Sequence, residues 1–196
     1  MSASQLDEDV RKLRQGLGPL PEPAATPFLV MVSGLPGTGK SYFCRRLAER
    51  VPLAILESDT LRRLLFSRPA YTGDESCRLF NACHGLVEDL LKHGVPLAFD
   101  ATNLEESNRE RLYHIADRLH VDLVLVRIDA PAEVVYERLR RRAGGGGDPE
   151  DRSEADECVY ERMKSSVQRI RRSHFVVDTS KDITPAVNKV ARRLRR

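Results

Sequence analysis

The sequence predicts an α/β fold in which a five-stranded parallel sheet is flanked by helices, and three observations carry this prediction. Five short apolar runs are separated by stretches with the periodicity of amphipathic helices; the runs are FLVMVS, LAILES, VPLAFD, VDLVLVRID and HFVVD. The segments FLVMV and LVLV are apolar at consecutive positions, which is typical of strands that are buried on both faces of a parallel sheet. A glycine-rich segment follows the first run, where a strand would give way to a helix.

The length of the chain indicates one domain with short additions. A chain of 196 residues with 41% hydrophobic content can bury one sizeable core, but a second independent domain is not expected. A polar stretch from Gln5 to Gln15 could form a short helix, and four prolines between Gly16 and Pro27 prevent continuous secondary structure. We therefore predict an N-terminal arm and proline-rich linker over residues 1–26 and a single folded domain over residues 27–196.

Composition excludes several classes of protein. The formal net charge of +3 and the pI near 8.7 suit an acidic substrate, but they fall short of the strongly basic balance of a dedicated nucleic-acid-binding domain. The four cysteines form no CxxC pair and no zinc spacing, the five histidines form no metal spacing, and no apolar run could cross a bilayer. We expect a cytoplasmic protein with reduced thiols and no membrane association, and no protein partner is evident.

The segment VSGLPGTGKS carries the strongest functional signal. Gly34, Gly39, Lys40 and Ser41 stand at the spacing GxxxxGK[ST] between a predicted strand and a predicted helix. Glycines at these positions let backbone N–H groups turn toward phosphate oxygens, and the helix N-terminus adds a positive field. Lys40 should reach the γ-phosphate, and the Ser41 hydroxyl should complete the shell of a Mg²⁺ ion that is otherwise held by phosphates and water. The predicted nucleotide contacts are Gly34, Gly37, Thr38, Gly39, Lys40, Ser41, Tyr42 and, from a later segment, Arg138.

The segment at the end of the second predicted strand contains candidate residues for the site that accepts the γ-phosphate. Asp59 and Arg62 lie in the segment ESDTLRRLL, and parallel strands open onto one crevice at their carboxyl ends. Asp59 could therefore accept the proton of an attacking hydroxyl, with the Arg62 guanidinium on the same helix face to hold a phosphate oxygen. The alternative is that Asp59 is the N-cap of a helix that begins at Thr60, and both roles are compatible.

Two further segments supply candidate residues. Asp100 ends the third strand, at a position suited to the second shell of Mg²⁺, while Asn103 and Arg109 could line the acceptor side of the cleft. A turn or cap role is the plainer alternative for Asn103. After the fourth strand, Arg138 and Arg142 are four apart on one helix face before a glycine run, which suggests a lid over about residues 138–157. A solvated basic helix face is the alternative, and it is the preferred interpretation for Arg140 and Arg141.

These motifs resemble, in order, those of the P-loop kinases of the polynucleotide kinase type, among the AAA_33-like and zeta-toxin-related P-loop phosphotransferases. The resemblance covers about residues 27–180 and rests on GLPGTGKS, on SDTLRR, on DATN with a following arginine, and on the Arg-x-x-x-Arg of the predicted lid. It implies a P-loop NTPase fold of the adenylate-kinase-like type with an arginine-bearing lid. It also implies catalytic roles for Lys40, Asp59 as base, Arg62 as clamp and Arg142 as lid arginine, and acceptor contacts from Asp59, Arg62, Asp100, Asn103 and Arg109.

The function expected from this pattern is direct in-line transfer of the γ-phosphate of ATP or GTP, with Mg²⁺, to a hydroxyl group. The first expectation for the acceptor is the 5′-hydroxyl of RNA or DNA, which needs an open basic track whose candidates are Arg62, Arg109 and Arg111. A small hydroxylated molecule such as an antibiotic, nucleoside or sugar nucleotide is an alternative, and it needs an enclosed pocket in the insert from Leu61 to Leu91. A non-catalytic nucleotide switch is a third possibility.

Overall fold

A computed structural model of the chain describes residues 3–144 and 155–195. The strands are β1 Phe28–Ser33, β2 Ala54–Glu57, β3 Leu97–Asp100, β4 Asp122–Asp129 and β5 Phe175–Asp178. The helices are α1 Ala3–Gln15, α2 Lys40–Ala48, α3 Ser58–Leu65, α4 Gly73–Lys92, α5 Glu106–Leu119, α6 Ala132–Ala143, α7 Glu157–Lys164 and α8 Thr184–Leu194.

The five strands form one parallel sheet in the order β2-β3-β1-β4-β5, which confirms the predicted fold class. The central strand β1 pairs with β3 and with β4, so that Val30 lies beside both Ala98 and Val124. Side chains alternate along β1 because successive residues of a strand point to opposite faces. Leu29 and Met31 join the core under α1, α3, α4 and α5, whereas Val30 and its neighbours on that face join the core under α2 and α8.

The N-terminal segment does not stand apart from this layered core. Helix α1 packs against α3 and α4, and the Leu13 side chain is fully buried in the same cluster as Leu86 and Phe99. Asp9, also buried, accepts two hydrogen bonds of 2.7 Å from the Arg78 guanidinium of α4. This packing differs from the predicted arm, because the apolar side of α1 has a partner on α4 that the local sequence does not reveal.

The predicted lid lies only partly within the described residues. It includes the second half of α6 and ends where α7 begins, while residues 145–154, with most of the glycine run and the acidic stretch after it, lie outside the described residues. In the part of the chain that the structure describes, no helix has both the length and the apolar character needed to cross a membrane.

Candidate active site

A cleft of about 740 Å³ opens at the carboxyl edge of the sheet. Its walls come from the segment after β1, the starts of α2 and α3, the end of β3, and α4, α6 and α7. Ligand sites of parallel α/β sheets lie at this edge, because the strand ends present loops and helix N-termini there. The architecture therefore brings the GxxxxGK[ST] segment and the end of β2 to the same cavity.

The glycines of this segment are required by its geometry. Gly37 and Gly39 have φ angles of 76° and 90°, in the left-handed region that costs glycine nothing. A Cβ on Gly34 would lie 2.4 Å from the Ile128 carbonyl oxygen, so any larger residue would force the backbone apart. The Lys40 ammonium donates to the Leu35 carbonyl oxygen at 3.1 Å, which holds the lysine back across the loop. The loop is thus a backbone cradle with a cation at its centre.

Asp100 meets this cradle from the end of β3. The Ser41 hydroxyl hydrogen-bonds to the Asp100 carboxylate, and the charge of Lys40 also acts on it. Burial raises the pKa of Asp100 to about 6, while Lys40 and Ser41 oppose that shift. The second oxygen, Oδ2, is buried and has no hydrogen-bond partner among the described residues. A hydroxyl beside a carboxylate with an orphaned oxygen fits a hydrated Mg²⁺ ion, which prefers hard oxygen ligands and keeps most of its waters.

On the β5 side of the cradle, Arg138 of α6 hydrogen-bonds to the cradle and to the loop after β5. Its guanidinium donates to the Thr179 hydroxyl and carbonyl oxygens, both at 2.8 Å, and to the Gly37 carbonyl oxygen at 3.3 Å. The Thr179 hydroxyl in turn donates to the Thr38 carbonyl oxygen at 2.6 Å. These contacts join α6, the loop after β5 and the cradle, on the β5 side of β1.

Asp59 lies on the β2 side of the cleft. Helix α3 begins at Ser58 with Glu57 as its N-cap residue, so Asp59 stands in the first turn and does not have the alternative role of N-cap. The Glu57 carboxylate accepts a 3.0 Å hydrogen bond from the Thr60 hydroxyl. The half-buried Asp59 side chain lines the cavity. A carboxylate in the first turn of a helix lies near the positive end of the helix dipole.

Arg62 lines the same wall one turn along α3, but its guanidinium already has partners. It pairs with Glu75 of α4, each side chain being only 8% exposed, and donates to the Ser76 hydroxyl at 3.2 Å. The Tyr71 ring lies over it, with 4.7 Å from the guanidinium carbon to the ring centroid. Arg62 is therefore a fixed part of the wall, and its charge is offset by Glu75.

Comparison with known proteins identifies the family of this chain. A profile of the family AAA_33, described as an AAA domain, matches residues 29–170, which is more than half of the chain. The chain belongs to the AAA_33 family. The match covers the cradle, α3, α4, β3, α6 and α7, which together supply most of the cleft walls.

Two curated relatives are similar to this AAA_33 chain over part of their length. An uncharacterized protein of Mycobacterium tuberculosis is 29% identical over 136 residues, 63% of this chain and 27% of that protein. The chain thus spans about a quarter of the length of this relative. The adenylyl-sulfate kinase of Myxococcus xanthus is 26% identical over 115 residues, 57% of this chain and 62% of the kinase.

Solved structures share the fold of this AAA_33 domain. The APS kinase CysC of Mycobacterium tuberculosis, in complex with AMPPNP and APS, matches with a TM-score of 0.67 and 16% identity over 89% of this chain and all of that chain. Kti12 of Chaetomium thermophilum, in complex with ADP-AlF3, matches with a TM-score of 0.67 and 19% identity, over 85% of this chain and 97% of the Kti12 chain. A chain of the Pnkp1/Rnl/Hen1 RNA repair complex matches with a TM-score of 0.58 and 20% identity, over 79% of this chain and 46% of that chain. The family match and these fold likenesses show that the chain has a P-loop kinase-like fold.

Two predicted acceptor residues of the AAA_33 chain do not line this cleft. Arg109 is fully buried and donates to backbone carbonyl oxygens, with 2.7 Å to that of Asn103 and 3.0 Å to that of Gln168. Asn103 is also buried, has a left-handed φ of 44°, and donates to the Val32 carbonyl oxygen at 2.7 Å. This placement differs from the predicted acceptor contacts. Both side chains instead hold the loop after β3 against β1 and the segment after α7.

Helices α6 and α7 bring arginines to the cleft. Arg142 lines it and donates a long hydrogen bond of 3.4 Å to the Ala155 carbonyl oxygen. Arg141, which was expected to be solvated, also lines the cleft, whereas Arg140 pairs with Glu157 on the exposed surface. Tyr42, which was predicted to contact the nucleotide, lines the cleft from α2.

Sequence reasoning missed several lining residues of the AAA_33 domain. Arg45 and Glu57 line the cleft from α2 and the end of β2, and Val159, Arg162 and Met163 line it from α7. The spacing of Val159 and Met163, four apart on a short helix, was a signal of an apolar face. Nothing in the sequence shows which side of the domain that face meets.

Proposed function

We propose that this chain is a kinase that transfers the γ-phosphate of ATP or GTP to a hydroxyl group of a small molecule. The observation that carries the proposal is that Lys40, Ser41 and Asp100, which suit a nucleotide donor, line the same cleft as Asp59, which suits a hydroxyl acceptor. A nucleotide switch has no need of a carboxylate aimed at an organic hydroxyl, and the position of Asp59 therefore favours an enzyme.

On the donor side, the cradle from Gly34 to Gly39 binds the β- and γ-phosphates through backbone N–H groups. Lys40 leaves the Leu35 carbonyl to contact the γ-phosphate, and Arg138 holds α6 beside the nucleotide through Thr179. Ser41 and Asp100 would hold Mg²⁺, Ser41 directly and Asp100 through water. The bound ion would supply neutralisation of phosphate charge.

On the acceptor side, Asp59 acts as the general base. It accepts the proton of the attacking hydroxyl while the hydroxyl oxygen forms a bond to the γ-phosphorus and the bond to the leaving β-phosphate oxygen breaks. The products are a phosphate monoester and the nucleoside diphosphate, and no covalent enzyme intermediate is needed. Arg142, which lines the cleft from α6, stabilises the charge on the transferred group when the lid closes.

The choice of a small molecule as acceptor follows from where the arginines of the predicted basic track lie. Arg109 is fully buried, and the Arg111 guanidinium donates to the Asn81 side-chain oxygen on the exposed surface away from the cleft. Arg62 is paired with Glu75. Because Arg109 and Arg111 lie outside the cleft lining and the charge of Arg62 is offset by Glu75, the insert suits one wall of a pocket better than a path for a polynucleotide. The similarity to an adenylyl-sulfate kinase agrees with a small acceptor.

A polynucleotide 5′-hydroxyl is the second candidate. What favours it is the cationic lining from the lid helices, where Arg138, Arg141, Arg142 and Arg162 all border the cleft. Such a lining could bind a nucleic-acid backbone as well as a triphosphate. The fold likeness to an RNA repair complex is consistent with this candidate.

The test is transfer of a labelled γ-phosphate from ATP and from GTP to a panel of acceptors. The panel contains 5′-hydroxyl RNA and DNA oligonucleotides, nucleosides, an aminoglycoside and simple sugars. Asp59→Asn should reduce transfer by about 10² to 10⁴-fold while the affinity for AMPPNP stays unchanged. Asp74→Asn is the matched control, because Asp74 is also in the first turn of a helix but lies outside the cleft lining.

The outcomes separate the candidates. Transfer to a small acceptor alone supports the proposal, and transfer to oligonucleotides alone replaces it with the second candidate. AMPPNP binding with no transfer to any acceptor would reject the enzyme and leave the switch. Full transfer by the Asp59→Asn variant would reject Asp59 as the base.

A further inference from the structure

We infer that the acceptor carries a flat aromatic or heteroaromatic ring beside its hydroxyl, and that this ring packs against Tyr71 and Phe80. The inference rests on the proposed function and names the class of acceptor for the same cleft. It is carried by the conformation of Tyr71, by the residues that fix it, and by the apolar side chains that line the cleft with it.

Tyr71 combines a strained backbone conformation with an exposed aromatic ring. Its φ of 54° lies in the left-handed region, which is strained for a residue other than glycine. Tyr71 is nevertheless 48% exposed and lines the cleft, although an aromatic ring contributes most stabilisation when it is buried. A strained backbone that presents an exposed aromatic ring in a cleft indicates a ligand contact.

The surroundings of Tyr71 make the ring a rigid platform. The preceding Ala70 N–H donates to the Glu75 carboxylate at 2.6 Å, and the following Thr72 caps α4 by accepting from the Glu75 N–H at 3.2 Å. Glu75 also pairs with Arg62, whose guanidinium supports one face of the ring. Both neighbours of Tyr71 in the chain are thus fixed by one carboxyl residue, which limits the entropy that a stacking ligand would have to remove.

Other apolar side chains line the cleft with this platform. Phe80 lines it from α4 and is half-buried, while Val159 and Met163 line it from one face of α7. Tyr160, between them in sequence, is buried in a separate cluster with Val135 and Leu139 of α6. Apolar walls favour a ring over a polyol, because each hydroxyl that is desolvated there without a partner costs free energy.

The platform lies next to the proposed base. Arg62, which supports Tyr71, is three residues after Asp59 on α3, so the two side chains share a helix face. A ring on Tyr71 would therefore place a hydroxyl attached to it, directly or through one or two carbons, near the Asp59 carboxylate. Asp59 and Tyr71 belong to elements that follow β2, whereas the donor contacts of Arg138 and Thr179 lie on the β5 side.

The experiment measures equilibrium binding of matched probes to the full chain with its donor site saturated by Mg²⁺ and AMPPNP. Adenosine and uridine are compared with ribose, and benzyl alcohol with cyclohexylmethanol, so that each pair differs in the flat ring. We expect at least one ring-bearing probe to bind about tenfold more tightly than its ringless partner, as stacking on an aromatic side chain allows. Tyr71→Gly should remove that preference, and it suits the left-handed backbone without strain.

Two further variants complete the design. Tyr71→Phe keeps the ring and should bind within about twofold of the wild type. Val176→Ala removes part of another exposed apolar side chain, outside the cleft lining, and should change nothing. Equal binding of ringed and ringless probes, equal binding to the Tyr71→Gly variant, or no binding of any ringed probe would each overturn the inference. Ring-specific binding without phosphate transfer would reject the proposed function alone, and transfer restricted to ringless acceptors would reject the inference alone.

Discussion

Arg109, which was predicted to contact the acceptor, instead holds buried backbone segments together. Its fully buried guanidinium donates to the backbone carbonyl oxygens of Asn103, Leu104, Gln168 and Arg169 and pairs with Glu106. Arg109→Met should lower the free energy of unfolding by about 3 kcal/mol, because it leaves buried carbonyls without donors. Urea denaturation measures this loss.

The neighbouring Arg111 provides the control. Its exposed guanidinium donates to the Asn81 side chain, so Arg111→Met should change stability by no more than about 0.5 kcal/mol. An Arg109→Met variant as stable as the wild type but with a raised KM for the acceptor would show that Arg109 contacts substrate after all.

His84 is a second residue whose environment has a measurable consequence. It is 6% exposed, packs between Phe80 and Phe99, and neither ring nitrogen has a hydrogen-bond partner among the described residues. Burial, aided by the charge of Arg111, lowers the pKa of His84 to about 4. As the pH falls below about 6.5, the unfolded chain binds this proton first, so stability is complete above that pH and falls toward pH 4.

The expected size follows from the two pKa values. Between pH 7.5 and pH 5.0 the wild type should lose about 2 kcal/mol of unfolding free energy through His84. Over the same pH range, the unfolding free energy of the His84→Leu variant should fall by about 2 kcal/mol less than that of the wild type. This difference does not depend on the stability of the variant at pH 7.5. Urea denaturation of both proteins at both pH values measures the difference, and equal losses would show that His84 takes up its proton in the folded state.

At the scale of elements, α1 and α4 are joined by an unequal ion pair. The Asp9 side chain is 3% exposed, whereas that of Arg78 is 41% exposed and lies over the Phe66 ring. Arg78→Ala leaves a buried carboxylate whose one remaining side-chain donor among the described residues is Gln5, and should cost about 2 kcal/mol. Asp9→Ala leaves an arginine that water can reach, and should cost about 1 kcal/mol. Thermal unfolding of the two variants checks this order, and the reverse order would show that Asp9 is hydrated.

The same elements show what the sequence could and could not predict. The five strands and the cradle were predictable because their signals are local: consecutive apolar residues, and glycines at fixed spacing before Lys40. The packing of α1 was not, because its partner Arg78 is 69 positions from Asp9. Arg109 is likewise held by carbonyls about 60 positions away, and its burial depends on where the segment after α7 passes.

At the scale of the whole molecule, the strand order separates the two halves of the proposed reaction. The cradle follows the central strand β1, Thr179 follows β5 at one edge, and Asp59 and Tyr71 follow β2 at the other edge. A donor bound between β1 and β5 would therefore present its terminal phosphate toward the acceptor wall. In the proposed reaction, this strand order would let the two substrates approach from different sides, as in-line transfer requires.

Filling the donor side should stabilise the entire fold, since the cradle joins β1, α2, α6 and the loop after β5. With AMPPNP and Mg²⁺ at 100 times the dissociation constant, the unfolding free energy should rise by about 2.7 kcal/mol. Lys40→Ala removes the central cation, and a 100-fold weaker affinity would reduce this gain to about 0.4 kcal/mol at the same concentration. Lys92→Ala, which removes an exposed lysine paired with Glu88, is the matched control and should keep the full gain. Denaturant unfolding with and without the nucleotide measures each value. An undiminished gain in the Lys40→Ala variant would mean that the nucleotide binds elsewhere, and the donor side of the proposed reaction would then have to be reassigned.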